Sequence, residues 1–317
     1  MEAASLDQLL AARRAELAYY SPYYFLRKLP AEQQQELFGT GLARRWDTED
    51  EREIYCTPPQ RNVCWLYHLL KWDTAYFGIP TFRLFTGLFA APLTTAELAE
   101  TIGGFCRQLA SRAGGPYSAF SIVPAEDLRL LQGLTAAGWQ LVETRLTYYH
   151  DQVAHFDHAR YPVRAARNDE AAHIGRIAAR ARNPFDRFHA DPWYGEARAD
   201  AYLARYAENT VTTDLAAEVL VPDAPGLSVD SFLAIGDLAG DAALGLPMSR
   251  VLLTAVGPAN RGWHVKLVAE TLHRAQRLGH EAVLMTTQST NHAVFRTCEK
   301  LGFKLGATSH VLTYHHR

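Results

Sequence analysis

Two stretches of the chain repeat one alternation of apolar and polar positions. In the first, Thr94 and Glu97 stand in the spacing of a reciprocal helix cap, and Leu98, Ile102, Phe105 and Leu109 follow on one helical face. The apolar run AFSIV at 119–123 then reads as a strand. In the second stretch Val265, Val268, Leu272 and Ala275 keep the helical spacing, Gly279 closes the helix, and AVLMTT at 282–287 reads as the strand. Both continue as helix, Gly-aromatic, strand. Setting Gly138 on Gly302 also brings Trp139 onto Phe303, Leu141 onto Leu305 and Thr144 onto Thr308, and after a short gap Leu146-Thr147-Tyr148 falls on Leu312-Thr313-Tyr314. The pattern predicts an α/β chain of tandem units, each with a mixed sheet flanked by helices.

The polar stretch HDQVAHFDHAR at 150–160 has no periodicity and reads as a linker. It sets the expected domains at 1–156, a helical, charged preface to about residue 60 plus the first copy, and 157–317, the second copy. The copies differ in chemistry. Asn291 falls on Asp127, Cys298 falls on Leu134, and nothing in the first copy matches the Arg-Gly turn at 261–262. The first copy is therefore expected to be a degenerate scaffold, with the chemistry in the second.

A chain of 317 residues with 48% hydrophobic positions has the composition of a globular protein with a large core. Its net charge of -2 argues against a nucleic-acid partner held by phosphate contacts. Asp7, Arg13, Arg14 and Glu16 interrupt the first twenty residues, so neither a secretory signal nor a membrane anchor is expected, and a cytoplasmic location is. Cys56, Cys64, Cys106 and Cys298 lack the spacing of a zinc site or a redox pair, and the first three are expected to be small buried hydrophobes. The 13 histidines are scattered, and no metal is expected. A homo-oligomer stays open.

Residues 248–304, MSRVLLTAVGPANRGWHVKLVAETLHRAQRLGHEAVLMTTQSTNHAVFRTCEKLGFK, resemble the acetyl-CoA-binding core of the GNAT N-acetyltransferase superfamily. KWDTAYFGIP at 71–80 and NPFDRFHADPWYGEARADAYLARYAENTV at 183–211 are similar to segments of the two-domain TDP-fucosamine acetyltransferase family. That resemblance implies acetyl-CoA as the donor and a TDP-linked amino sugar as the acceptor, acetylated on its amine. A catalytically degenerate scaffold, an N-acetyltransferase for another small amine, and a tandem aminoacyltransferase using charged tRNA are the alternatives.

The physics of the turn fits a diphosphate, because unpaired amides at a helix N-terminus carry partial positive charge. The cradle comprises Arg261, Gly262, Trp263, His264, Val265 and Lys266, where His264 and Lys266 replace small residues of the resembled pattern. Their side chains either crowd the cradle or supply contacts of their own, and a plain strand-to-helix turn is the competing reading. Amides near Ala255 and Val256, where the resembled strand splays, are expected to polarise the thioester carbonyl, and Asn291 to bond the pantetheine arm or cap the next helix. Cys298 stands where the family carries a tyrosine acid, and is either a proton donor or a small helix residue. In FDRFHADP at 185–192, His189 is the candidate base, with Asp186 and Asp191 beside it, and Arg187 and Asp191 are candidate substrate contacts. A structural turn packed by Phe185, Phe188 and Trp193 is the other reading of that loop. Trp72, Tyr76 and Phe77 are expected to pack between the copies.

Overall fold

The structure, a computed structural model, describes residues 5–48, 51–57, 63–90, 93–237 and 244–317. Its contacts divide the chain into an N-terminal unit, residues 1–144 with 308–317, and a C-terminal unit, residues 145–307. The first half runs α1 (Leu6–Ala12), α2 (Arg14–Leu17), α3 (Ala31–Phe38), α4 (Thr40–Arg44), β1 (Arg52–Cys56), β2 (Val63–Leu69), α5 (Lys71–Phe77), β3 (Thr81–Phe89), α6 (Thr95–Ala113), β4 (Tyr117–Pro124), α7 (Leu128–Ala136) and β5 (Gln140–His150). The second runs β6 (Val163–Ala165), α8 (Ala171–Arg180), α9 (Glu196–Thr212), β7 (Glu218–Pro222), β8 (Ser231–Asp237), β9 (Met248–Val256), α10 (Trp263–Arg277), β10 (Ala282–Gln288), α11 (His292–Lys300) and β11 (Lys304–His316).

The N-terminal sheet has the order β1-β2-β3-β4-β11 and the C-terminal sheet the order β5-β10-β9-β8-β7-β6. In each, one pair is parallel, β3 with β4 and β9 with β10, because a helix, α6 or α10, carries the chain back over the sheet between them. The final strand of each unit comes from the other half of the sequence. Arg145–His150 of β5 pair antiparallel with β10, while Ser309–His316 of β11 pair antiparallel with β4.

This exchange moves the boundary from the expected 156/157 to 144/145, with a return to the first unit at 308. The stretch 150–160 is no free linker. Val153 is buried, and Phe156 packs with it in the core under α10. Gln276 donates to the carbonyls of Ala154 and Phe156 at 3.1 and 3.2 Å. Isolated apolar residues docked onto a helix leave no period in the sequence to read.

The preface is the second helical layer of the N-terminal unit. Leu9, Leu10, Leu17 and Trp46 pack on Leu66 and Leu88 of one sheet face, while Ile102 and Phe105 of α6 pack with Trp65, Tyr117 and Trp139 on the other. In the C-terminal unit α8 and α9 take that layer, with Ile174, Ile177 and Ala207 against Val219 and Phe232. Phe77 is buried, but Trp72 is 42% exposed and stacks on Tyr76, so it does not pack as expected.

Cys56 and Cys64 also depart from expectation, since they form a disulfide. Antiparallel pairing of β1 and β2 sets the two residues directly opposite each other, which their spacing in the chain does not disclose. Cys106 and Cys298 are free and buried. No helix among the described residues is long and apolar enough to cross a membrane, and no described cluster of His, Cys, Asp and Glu could hold a metal.

Candidate active site

The C-terminal sheet opens where its parallel pair ends. β9 and β10 are in register from Met248/Ala282 to Val251/Met285, after which Leu252–Val256 and Thr286–Gln288 continue without pairing to each other. Each keeps its outer neighbour, β9 with β8 as far as Val256 and β10 with β5 as far as Gln288. The register of β8 slips between Ala234 and Ile235, leaving Leu252 as a bulge that bends β9 away at the fork. Ala255 and Val256 lie on the stretch of β9 that has parted from β10 and stays paired with β8.

The turn from β9 into α10 is fixed by residues that sequence reasoning passed over. Gly257 donates to the Asp230 carbonyl at 2.6 Å, and a Cβ there would lie 2.3 Å from the Asp230 carboxylate, so any larger residue would have to displace that side chain. Asn260, 1% exposed, accepts from the Asp230 amide at 2.9 Å and the Ser231 hydroxyl at 2.8 Å, and donates to the Ser228 carbonyl at 3.1 Å. The only hint in the sequence is that Gly-Pro-Ala-Asn is rich in turn formers.

Beyond Asn260, Gly262 takes the left-handed conformation at φ 88° and α10 starts with no side-chain cap. By contrast Thr94, Asp127 and Asn291 each cap the helix they precede. The first amides of α10 thus keep the unpaired donors of a helix N-terminus, and nothing lies within 4 Å of where a Cβ on Gly262 would be. Arg261 is exposed beside them, without an ion-pair partner among the described residues.

Neither bulky residue of the turn stands over Gly262. His264 turns to α11, where Nδ1 lies 2.7 Å from the Thr297 hydroxyl, and Lys266 lies over the rings of Trp263 and Tyr161 at 4.5 and 5.5 Å. Val265 joins the edge of the core under α10. Burial pulls the His264 imidazole down to about 4, so it is neutral in the folded chain. An imidazole whose folded pKa lies below its unfolded value of 6.5 leaves the unfolded chain binding the extra proton between the two. Its contribution is whole above pH 6.5 and is lost as pH falls toward 4, by up to about 3 kcal/mol. His68, also drawn down to about 4 by burial, adds to the same window. His264→Gln is therefore expected to flatten the acid side of the melting-temperature profile in part, and an unchanged slope between pH 6.5 and 4 would contradict the buried neutral ring.

Asn291, capping α11, accepts the Val294 amide on Oδ1 at 3.3 Å, which leaves Nδ2 as a donor with no partner among the described residues. Cys298 is fully buried in the core among Trp263, Val268 and Leu301, and burial pushes its thiol up to about 12. A thiol so raised and so enclosed is a poor acid for a departing thiolate, and its burial supports the packing reading of Cys298.

The loop between α8 and α9 does reach the opening. Asn183 Nδ2 donates to Gln288 Oε1 at 3.0 Å, tying the loop to the last residue of β10. His189 is locked, with Nδ1 2.6 Å from Asp186 Oδ2, Nε2 3.1 Å from Asp200 Oδ1, and a side chain only 4% exposed. With both ring nitrogens engaged by carboxylates and the side chain enclosed, His189 is not presented to an amine, so the base assigned from sequence does not fit this geometry. Asp191 is buried and accepts the Trp193 amide at 3.1 Å, a contact within the turn. Arg187 lies 4.2 Å over the Phe188 ring.

No family model matches the chain, and no curated protein matches it by sequence. Solved structures do match. The chain is similar to a GCN5-related N-acetyltransferase from Sphaerobacter thermophilus, 11% identical over 99% of this chain and 94% of that one, with a TM-score of 0.56. It is similar to a tandem GNAT protein from the clavulanic acid biosynthesis pathway, 14% identical over 98% and 95%, TM-score 0.51. It is also similar to a GCN5-related glucosamine N-acetyltransferase region of a fungal multi-domain GH3 beta-N-acetylglucosaminidase, 10% identical over 98% of this chain and 37% of that one, TM-score 0.55. The fold is that of the GNAT acetyltransferases. The chain forms two compact units, and the tandem GNAT protein is among the structures of similar fold.

Proposed function

We propose that the C-terminal unit binds acetyl-CoA in the fork between β9 and β10 and transfers the acetyl group to the amine of a small molecule. The observation that carries this reading is the forked strand pair leading into the uncapped, open N-terminus of α10. The amides of residues 262–265 hold the diphosphate, with Arg261 as its side-chain contact. Nδ2 of Asn291 donates to a carbonyl of the pantetheine arm, and a backbone N–H at Ala255 or Val256 polarises the thioester carbonyl. The loop tied to Gln288 forms the acceptor side.

A neutral amine attacks the carbonyl, the C–N bond forms, and the C–S bond breaks with its electron pair leaving on the coenzyme A thiolate; the amine proton passes to solvent and the thiolate takes a proton from solvent. With His189 engaged on both nitrogens, the fraction of free amine is set by the acceptor itself, and kcat/KM rises with pH up to the acceptor's own pKa. A nucleotide-linked amino sugar is the acceptor proposed first. It rests on the likeness of residues 71–80 and 183–211 to the TDP-fucosamine family, and the glucosamine N-acetyltransferase region among the structural relatives lends support to an amino sugar.

Acetyl-CoA at about 100 times its dissociation constant is expected to stabilise the protein by about 2.7 kcal/mol, read as a rise in melting temperature. Thiol release with nucleotide-linked amino sugars and with simple amines then identifies the acceptor. Arg261→Ala is expected to weaken acetyl-CoA about five- to tenfold with little change in kcat. No shift with millimolar acetyl-CoA would leave a scaffold, and an unaltered affinity in the variant would move the phosphates elsewhere.

A further inference from the structure

The N-terminal unit contains the same fork, and it is filled. β3 and β4 are in register from Thr81/Ser118 to Leu84/Ser121, after which β3 runs on to Phe89 and β4 to Pro124. β2 pairs Leu66 with Thr86 and Tyr67 with Leu84, so Phe85 is a bulge at the fork, as Leu252 is in β9. Helix α7 follows β4 and is capped by Asp127, the residue that aligns with Asn291.

Into this fork α1 and α2 deliver one side chain. Arg13, 1% exposed, donates from Nε to the Gly87 carbonyl at 3.1 Å and from Nη2 to Asp127 Oδ2 at 2.5 Å, and its guanidinium lies 4.3 Å over the Phe89 ring. Tyr20 donates its hydroxyl to the same Oδ2 at 2.7 Å and receives the Thr86 hydroxyl at 3.0 Å. Asp127 is fully buried, and its Oδ1 accepts the Leu130 amide at 3.4 Å. Leu9, Leu10 and Leu17 anchor the segment on either side of Arg13.

Gly87 stands two residues past the bulge of β3, and Thr254 stands two residues past the bulge of β9. Arg13 thus spans a strand carbonyl and a helix-capping side chain, the pair of positions that Thr254 and Asn291 hold in the C-terminal unit. The cap residue sets which chemistry fits. Asp127, with one oxygen on the helix, offers only an acceptor and takes donors, here Arg13 and Tyr20, whereas Asn291 offers a donor and suits a carbonyl. A buried ion pair costs about as much in desolvation as it returns, so packing alone does not account for a charged residue at this point.

We propose that Arg13 is a built-in ligand of the N-terminal fork, occupying the positions an acyl-pantetheine arm takes in the C-terminal unit, so that the chain binds one acyl-CoA and not two. The count rests on the reading of the C-terminal fork. The occupancy by Arg13 does not, and the two are tested separately. Titration of the full chain with acetyl-CoA is expected to give one site per chain, and two sites would overturn the proposal.

The second test uses Arg13→Ala and ethylguanidinium chloride, a free copy of the missing group. The variant is expected to melt about 10 °C below the wild type, because Asp127 is left buried without its cationic partner. Ethylguanidinium at about 10 mM is expected to return several degrees to the variant, to do nothing for the wild type, and to exceed the effect of ethylammonium. Equal shifts in the two proteins, or equal effects of the two cations, would overturn the occupancy. If the variant does not fold unaided, it is refolded with and without ethylguanidinium. Recovery of the native circular dichroism only with the cation supports the proposal, and recovery with neither cation overturns it.

Discussion

Asn291→Asp is expected to weaken acetyl-CoA about 30- to 100-fold while leaving the melting temperature within about 1 °C of the wild type. Asp caps a helix as well as Asn does and suits the positive end of the dipole, so α11 keeps its start. What changes is the outward atom. Nδ2, a donor in the wild type, becomes a carboxylate oxygen facing a carbonyl, which removes one hydrogen bond and adds a repulsion, together worth about 2–3 kcal/mol. Calorimetric titration and thermal melting on the same sample separate the two effects. An unchanged dissociation constant would remove Asn291 from the site, and a large loss of stability would show that its role is packing.

Asn260→Ala is expected to lower stability by about 3 kcal/mol and acetyl-CoA affinity at least tenfold. The side chain is buried and makes three hydrogen bonds, and its removal strands the Asp230 amide, the Ser231 hydroxyl and the Ser228 carbonyl away from water. A domain of ordinary stability survives that loss. Affinity falls because the turn that presents the α10 amides is no longer held, and pre-organisation is what keeps the entropy of binding small. Urea denaturation reads the first effect and titration under native conditions the second. Lower stability with unaltered affinity would show that the turn is not part of the cofactor site.

The periodic elements were legible because their signals are local. The Thr94–Glu97 box caps α6 as read, α10 and β10 lie where their apolar spacing put them, and the repeat of Gly138-Trp139 in Gly302-Phe303 marks the same turn in both units. The Arg-Gly turn also stood out in the sequence, and it opens the uncapped helix. Its anchor, Asn260, did not, because its partners Ser228, Asp230 and Ser231 lie about thirty residues away along the chain. His189 and Cys298 show the opposite failure. Each has a side chain apt for catalysis, and in each the surroundings, two carboxylates or a closed core, enclose it in a way the sequence does not show.

The sequence by itself determined the periodic elements, the duplication and the Arg-Gly turn that opens α10, since spacing, caps and turn residues act between neighbours. Tertiary structure alone decided the exchange of β5 and β11, the pairing of Cys56 with Cys64, the filling of one fork by Arg13 and the opening of the other. Those outcomes depend on long-range strand register and on which distant polar group faces which, and a buried donor or charge takes whatever partner the packed fold brings to it.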